Sequence, residues 1–238
     1  MEGKYGYEDL LEIIKTLRSE NGCPWDRKQT HTSLRSCMME EAAEVLAAIR
    51  IYDQSGSYEN LQEELGDVLL QVVMHSQIAG EEGLFTMEDV IDGVARKMVR
   101  RHPHVFGSVQ VSGPAEVLEN WEEIKRREKE GRKEAECPLQ EIPRELPALT
   151  RAVKVLKKAD KLYEPGEGYE KSLTKLKDGV ERLAGRESAQ DREETKRVIG
   201  DILMSLCNIA RIDHLSLEQI LADRVETCIE YYEKPVKS

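Results

Sequence analysis

The sequence lacks the features that mark several common protein classes. It has only two Phe and two Trp in 238 residues, and no apolar run approaches the about 18 residues that a membrane-spanning helix needs. The N-terminal residues from Met1 to Lys4 contain no apolar signal core, so we expect a cytoplasmic protein without a membrane partner. The five cysteines are scattered and form no Cys-x-x-Cys pair, which indicates free thiols rather than a zinc or redox site.

Positive charge is outnumbered by negative charge, with 35 Lys and Arg against 46 Asp and Glu. The formal net charge is −11, which argues against a nucleic-acid polymer as the main partner but allows a local basic cluster that binds a small phosphate ligand. A hydrophobic content of 39% with few aromatic residues suits a soluble helical protein with a core of Leu, Ile, Val and Ala. The length allows one large domain or two small ones.

Clusters of acidic residues, the second completed by a glutamine, occur on two consecutive predicted helices that are joined by a short turn. They are Glu40, Glu41 and Glu44 on the first helix and Glu64, Asp67 and Gln71 on the second. Helical spacing places each cluster on one side of its helix, and the rest of the second helix is apolar nearly all round. Because such a helix is expected to be buried, we predict that Asp67 lies inside a helical bundle.

Several carboxylates that face each other in a bundle need a positive partner, since otherwise they repel or take up protons. A hard divalent cation meets this need, because Mg²⁺ takes oxygen ligands and is held by carboxylates together with substrate phosphates. The sequence therefore predicts a site for Mg²⁺, with Mn²⁺ as the alternative metal. The competing interpretation is a solvated acidic face with ordinary surface ion pairs.

Basic and aromatic residues elsewhere are candidates for nucleotide contacts. Lys97 and Arg101 lie four residues apart near the end of a predicted helix, so they point the same way and together suit a triphosphate. The helix macrodipole explains terminal cations without a ligand. Trp25 lies in a Gly-Pro loop, where it either stacks on a base or plugs the end of a bundle.

Helical periodicity and breaker residues predict an all-α protein in two parts. We place the first bundle at residues 1–136 and the second at residues 137–238. The second part opens with a proline-rich linker that begins at Cys137. The predicted helices cover about residues 7–19, 33–52, 58–82, 87–101, 115–133, 148–161, 170–184, 193–211 and 217–233. Thr32 or Ser33 is expected to cap the second of these helices.

The second part repeats the first in a decayed form. Residues 66–70 recur as residues 200–204, and residues 86–91 recur as residues 216–221, which indicates duplication of a small helical bundle. In this alignment Val198 replaces Glu64, and the positions of Lys97 and Arg101 are not basic. Loss of the acidic and basic candidates from the same copy, while the apolar pattern persists, is typical of an abandoned functional site.

Several motifs together resemble the MazG family of all-α nucleoside triphosphate pyrophosphohydrolases. They are Glu40-Glu41-x-x-Glu44 with Glu64-x-x-Asp67, and residues 21–26, 100–106, 121–125 and 142–149. The resemblance covers nearly the whole chain. It implies Mg²⁺-dependent cleavage of a nucleoside triphosphate to the monophosphate and pyrophosphate, by tandem helical bundles that form a homodimer or higher homo-oligomer, in a house-cleaning or signalling role.

The resemblance also implies roles for individual residues. The residues expected to bind the metal are Glu41, Glu44, Glu64 and Asp67. Glu40 is expected to contact metal-bound water or to act as the general base, beside Glu41. The residues expected to contact the phosphates or the nucleobase are Lys97, Arg101, Trp121, Lys125 and Trp25. Two-domain relatives often carry their main activity in the second copy, whereas here the second copy is the decayed one. We therefore expect activity in the first bundle.

Two other classes of function remain as alternatives. The first is a non-catalytic or weakly active helical module that senses nucleotides or scaffolds a partner. The second is a di-iron bundle, which is disfavoured because no acidic cluster has a His three residues later. Nucleotide binding without turnover would favour the first alternative.

Overall fold

A computed structural model describes residues 3–128, 137–163, 166–185 and 192–233. These residues form ten α-helices and no strand, which confirms the all-α prediction. The helices are α1 (Tyr7–Arg18), α2 (Arg35–Ser55), α3 (Glu59–Glu81), α4 (Met87–Arg101), α5 (Pro103–Phe106), α6 (Pro114–Arg127), α7 (Ala148–Leu162), α8 (Tyr169–Ala184), α9 (Arg192–Ile212) and α10 (Leu217–Glu233).

The helices group into two compact units, Met1–Glu130 and Gly131–Ser238. The domain boundary that the sequence predicts, at residue 136, lies outside the described residues, as does the end of the helix predicted for residues 115–133. None of the described helices is both long enough and apolar enough to cross a bilayer.

The first unit is centred on an antiparallel hairpin of α2 and α3. Gly56 ends α2 in the left-handed region, with φ 75°, a conformation that costs glycine little and other residues more. Helix α1 packs on α3, and α4 packs on both α3 and α6. The side chain of Thr86 accepts a hydrogen bond from the backbone N–H of Asp89 at the start of α4, as a capping box requires.

The hydrophobic core of this unit lies at one end of the hairpin. Its buried members are Ile14, Leu34, Val73, Met74 and Ile78. Burying side chains of this size stabilises the fold by about 1.5–3 kcal/mol each. The core therefore fixes the second half of α3 against α1 and the start of α2.

The other half of the hairpin is much more open. Leu65 and Leu69 on α3 are 53% and 40% exposed, and Leu46 on α2 is 66% exposed. The expectation that α3 is buried nearly all round is therefore wrong for its first half. The reason is that α1 and the core cover only the second half of α3 within this unit.

The second unit contains a matching hairpin of α8 and α9, against which α7 and α10 pack. Its two helices approach closely at Gly179, where an added Cβ atom would lie 2.7 Å from Cγ1 of Ile202. Val198 is 1% exposed in the same region. The two helices are therefore in close apolar contact at Gly179, while Ile199 and Leu203, which align with Leu65 and Leu69, are 44% and 43% exposed.

Two local features differ from the sequence predictions. The N-cap of α2 is Leu34 and makes no side-chain hydrogen bond, because Ser33 instead pairs with Thr30 in the preceding turn. The capping prediction for Thr32 or Ser33 is therefore wrong. Residues 103–106 form the short helix α5 rather than a loop, which agrees with a proline at the first helical position.

Candidate functional site

Three carboxylates converge where α2 and α3 face each other in the open half of the first hairpin. One oxygen from each of Glu41, Glu64 and Asp67 lies within 4.8 Å of the other two. Glu64 and Asp67 share a side of α3 because they are three residues apart, and the hairpin brings Glu41 across from them. In the part of the chain that the structure describes, no other trio of His, Cys, Asp or Glu converges in this way.

Desolvation and mutual repulsion raise the pKa of two carboxyl groups in this cluster. The pKa of Glu41 is raised above its usual value of 4.5, first by desolvation and then by the charges of Asp67 and Glu44. The pKa of Glu64 is also raised, by desolvation and by the charges of Glu44 and Asp67. Side-chain contact with Glu44 raises the pKa of Glu41 and of Glu64 further. The carboxylates of this cluster therefore lack a positively charged partner that would stabilise their ionised form.

The exposure of these residues corrects one prediction. Asp67 is half-buried, like Glu41 and Glu64, and does not lie inside the bundle. Glu40 and Glu44 are exposed, and Glu40 lies outside the converging trio. The cluster is reachable from solvent because it occupies the half of the hairpin that the core does not cover.

The geometry and chemistry of the cluster fit a divalent cation. Mg²⁺ binds oxygens at about 2.1 Å, so two ligands on opposite sides of one ion are about 4.2 Å apart. Neighbouring ligands of an octahedral ion are only about 3 Å apart, so the three oxygens, which lie within 4.8 Å of one another, would have to draw together by up to about 2 Å, a shift that side-chain rotation allows. Hard carboxylate ligands suit Mg²⁺ or Mn²⁺, and an ion there would supply the missing positive charge.

A second group of candidate residues meets between α4 and α6. The Arg101 guanidinium carbon lies 6.0 Å and the Lys125 ammonium 5.2 Å from the centre of the Trp121 ring. Glu128 binds Arg101 at 2.6 Å and Arg100 at 2.7 Å, and these two arginines lower the pKa of Glu128 to about 2. The predicted nucleotide contacts Arg101, Trp121 and Lys125 are thus neighbours.

The remaining predicted contacts are less enclosed. Within the described residues the half-buried Lys97 ammonium has no carboxylate partner. Trp25 is 61% exposed in the loop after α1, so it does not plug the end of a bundle. The loop itself is fixed by Arg18, which binds Glu81 at 2.7 Å and donates hydrogen bonds to the backbone carbonyls of Asp26 and Gln29.

Sequence reasoning missed several polar contacts of the first unit. It did not pair Glu128 with Arg101 or Arg18 with Glu81, because sequence separation gives no signal for such pairs. It did not pair His31 with His75, whose Nδ1 atoms are 2.8 Å apart. Gln71, noted only for its spacing, is buried with an unpartnered carbonyl oxygen.

The second unit has lost the carboxylate cluster. Val198, which aligns with Glu64, packs beside Gly179 where the cluster would lie. Thr227 aligns with Lys97, and its hydroxyl donates a hydrogen bond to the backbone carbonyl of Asp223. Tyr231 aligns with Arg101 and is 70% exposed. Among the residues that the structure describes, the candidate site is therefore confined to the first unit.

Comparison with known proteins gives a consistent result. Residues 29–106, which span α2 and α3, match the pattern described as the MazG nucleotide pyrophosphohydrolase domain. The chain is 39% identical to the nucleoside triphosphate pyrophosphohydrolase/pyrophosphatase MazG of Thermotoga maritima, over 96% of this chain and 84% of that protein. It is 37% identical to the nucleoside triphosphate pyrophosphohydrolase of Escherichia coli, over 90% of this chain and 80% of that protein.

A longer relative is also similar. The chain is 42% identical to the Bacillus subtilis protein YabN over 97% of this chain, but it spans only 47% of that protein. The similarity to the Thermotoga and Escherichia proteins extends through both helical units rather than through the matched segment alone. The chain therefore belongs to the MazG family of nucleotide pyrophosphohydrolases.

Proposed function

We propose that the first unit hydrolyses nucleoside triphosphates to the nucleoside monophosphate and pyrophosphate in a Mg²⁺-dependent reaction. The observation that carries this proposal is the carboxylate cluster, in which Glu41, Glu64 and Asp67 converge with raised pKa values at Glu41 and Glu64. The names of the Thermotoga and Escherichia relatives support the same reaction.

The chain's own residues would divide the work as follows. Glu41, Glu44, Glu64 and Asp67 hold the divalent ion, which when bound activates water and neutralises phosphate oxygens. Glu40, which is exposed, would contact metal-bound water or act as the base that takes its proton. Lys97 and Arg101 bind the phosphates of the substrate.

The Trp121 region would hold the nucleoside. The cationic groups of Arg101 and Lys125 lie over the Trp121 ring. The Nε1 atom of Trp121 is buried without a hydrogen-bond partner. An aromatic face beside cations suits a base attached to a phosphate chain. Trp25, exposed in its anchored loop, is available for a second stacking contact.

We also propose that the protein works as a homodimer in the cytoplasm. The open half of the α2–α3 hairpin exposes apolar side chains that include Leu46, Leu65 and Leu69. A second copy that covered this face would remove them from water and would further enclose the neighbouring carboxylates. The five cysteines are all free, as expected in a reducing compartment.

Hydrolysis in H₂¹⁸O tests the proposed reaction. Attack on the α-phosphorus places the label in the nucleoside monophosphate, and chelation of divalent ions is expected to abolish the reaction. Mass spectrometry of both products locates the oxygen. Label in pyrophosphate or release of inorganic phosphate would refute the proposed mechanism, and nucleotide binding without turnover would favour a nucleotide sensor.

Neighbouring arginines provide a matched test of phosphate binding. Replacing Arg101 by Ala is expected to lower kcat/KM by about 10-fold or more, because a charge-assisted contact to substrate is lost. Arg100 binds the same Glu128 but its side chain is 55% exposed, against 18% for Arg101. Replacing Arg100 by Ala should therefore change kcat/KM by less than about threefold. Equal losses in the two variants would show that only the contact with Glu128 matters.

A further inference from the structure

Gln71 carries an unusual polar group for the interior of a helical bundle. The residue is 7% exposed, and its side-chain Oε1 is buried without a hydrogen-bond partner. A buried acceptor without a donor is costly, and nearly all such groups in folded proteins are satisfied by protein or by ordered water. The carbonyl oxygen of Gln71 therefore calls for a donor that does not come from the described protein atoms.

The position of Gln71 identifies where that donor lies. Along α3, Asp67 faces Glu41 of α2 at one level, and His75 contacts His31, in the turn before α2, at another level. Gln71 lies on α3 one turn after Asp67 and one turn before His75, so it shares their face. Helical side chains lean toward the N-terminus of their helix, which carries the Gln71 carboxamide toward Asp67 and the carboxylate cluster.

The duplicated second unit supplies an independent observation. There Ser205 aligns with Gln71, and its hydroxyl donates to the Asp201 carbonyl of its own helix at 2.8 Å. Ser205 therefore needs no external donor. Val198 has replaced Glu64 in the same unit, so the unpartnered acceptor and the carboxylate cluster are present together in one copy and absent together from the other.

We propose that Gln71 is a positioning residue for the divalent ion. Its carboxamide oxygen accepts a hydrogen bond from a water molecule in the hydration shell of the ion that Glu41, Glu64 and Asp67 hold. Mg²⁺ and Mn²⁺ keep several water molecules when carboxylates bind them, so such donors accompany the ion. This inference rests on the metal site of the proposed function.

Ion binding and metal-free stability together test the role of Gln71. Replacing Gln71 by Met keeps the volume and removes the acceptor. We expect Mn²⁺ affinity, measured by calorimetry and by electron paramagnetic resonance at pH 7.5, to fall about tenfold, as for other residues that orient metal-bound groups. The melting temperature of the metal-free protein should not fall, because a buried unsatisfied oxygen has been removed. A merely structural glutamine would give the reverse pattern, with lower stability and unchanged affinity.

Two further variants make the test specific. Ser76 is buried on the same helix and bonds its hydroxyl to the Val72 carbonyl at 2.9 Å, so Ser76→Ala should leave Mn²⁺ affinity unchanged. Gln71→Glu keeps an acceptor oxygen and should bind Mn²⁺ at least as tightly as the wild type, which provides the test if Gln71→Met fails to fold. Wild-type-like affinity in Gln71→Met, or tenfold weaker binding in Gln71→Glu, overturns this inference alone. A wild type that binds no Mn²⁺ overturns it together with the proposed function.

Discussion

Replacing Glu41 or Glu64 by Gln is expected to slow pyrophosphate release by roughly 100-fold or more. Each substitution keeps the size of the side chain but removes one negative ligand from the converging trio. The same substitutions should raise the melting temperature of the metal-free protein at pH 8, because each removes a carboxyl group whose pKa is raised by desolvation and by neighbouring carboxylates. Loss of activity with a gain in stability is the pattern expected of residues that are held together for a ligand rather than for the fold.

The pH dependence of the stability gain follows from the raised pKa values. A carboxyl group with a raised pKa binds its proton more tightly in the folded protein than in the unfolded chain. Its unfavourable contribution therefore grows as the pH rises through the folded pKa and disappears below the usual value of 4.5. Thermal melts of wild type and Glu41→Gln in a chelating buffer should converge at pH 4 and separate at pH 8.

A neighbouring residue controls for general changes in charge. Glu63 is exposed on α3 and lies outside the trio, so Glu63→Gln should retain turnover within about threefold of the wild type. Equal pyrophosphate release by wild type, Glu41→Gln and Glu64→Gln would remove the catalytic assignment of the first unit.

Restoring the acidic residue in the second unit is expected to damage that unit severely. Val198 is 1% exposed and packs near Gly179, where the two helices leave no space for a larger polar group. Val198→Glu buries a carboxyl group without a partner and should cost about 3 kcal/mol or more of unfolding free energy. The new carboxyl should create no ion site, because α8 lacks the Glu-Glu-x-x-Glu pattern that supplies Glu41 and Glu44 in the first unit.

Denaturant unfolding measures the effect of Val198→Glu. The chain has two compact units, so the loss should appear in one part of the transition rather than as a uniform shift. Val180 on the neighbouring helix α8 is 52% exposed, and Val180→Glu should change the unfolding free energy by less than about 0.5 kcal/mol. Similar losses in the two variants would contradict the closed packing of α8 against α9.

Local sequence signals were sufficient to predict the helices and to group the acidic residues. The Glu64-x-x-Asp67 spacing places two carboxylates on one side of α3. The turn at Gly56 reverses the chain, so that α3 runs back along α2 and Glu41 faces the two carboxylates. These relations depend only on helix geometry and on a short connection. The metal-binding, phosphate-binding and base-binding roles of the individual residues stay predictions.

Burial and long-range pairing were harder to predict. An apolar α3 predicts a buried Asp67, but the number of helices that cover each half of α3 is a property of the assembled unit. The pairing of Arg101 with Glu128 joins residues on two helices whose packing the sequence does not specify. The unpartnered oxygen of Gln71 becomes visible only once its neighbours are in place.

Titration of Mn²⁺ into wild type and Glu41→Gln, with no nucleotide present, tests the central claim most directly. We expect the wild type to bind the ion at pH 7.5 and more weakly at pH 5, because protons compete for carboxyl groups with raised pKa values. Glu41→Gln should bind at least about tenfold more weakly at pH 7.5. Equal affinity in the two proteins, or no binding to the wild type, would contradict the assignment of the carboxylate cluster as a metal site.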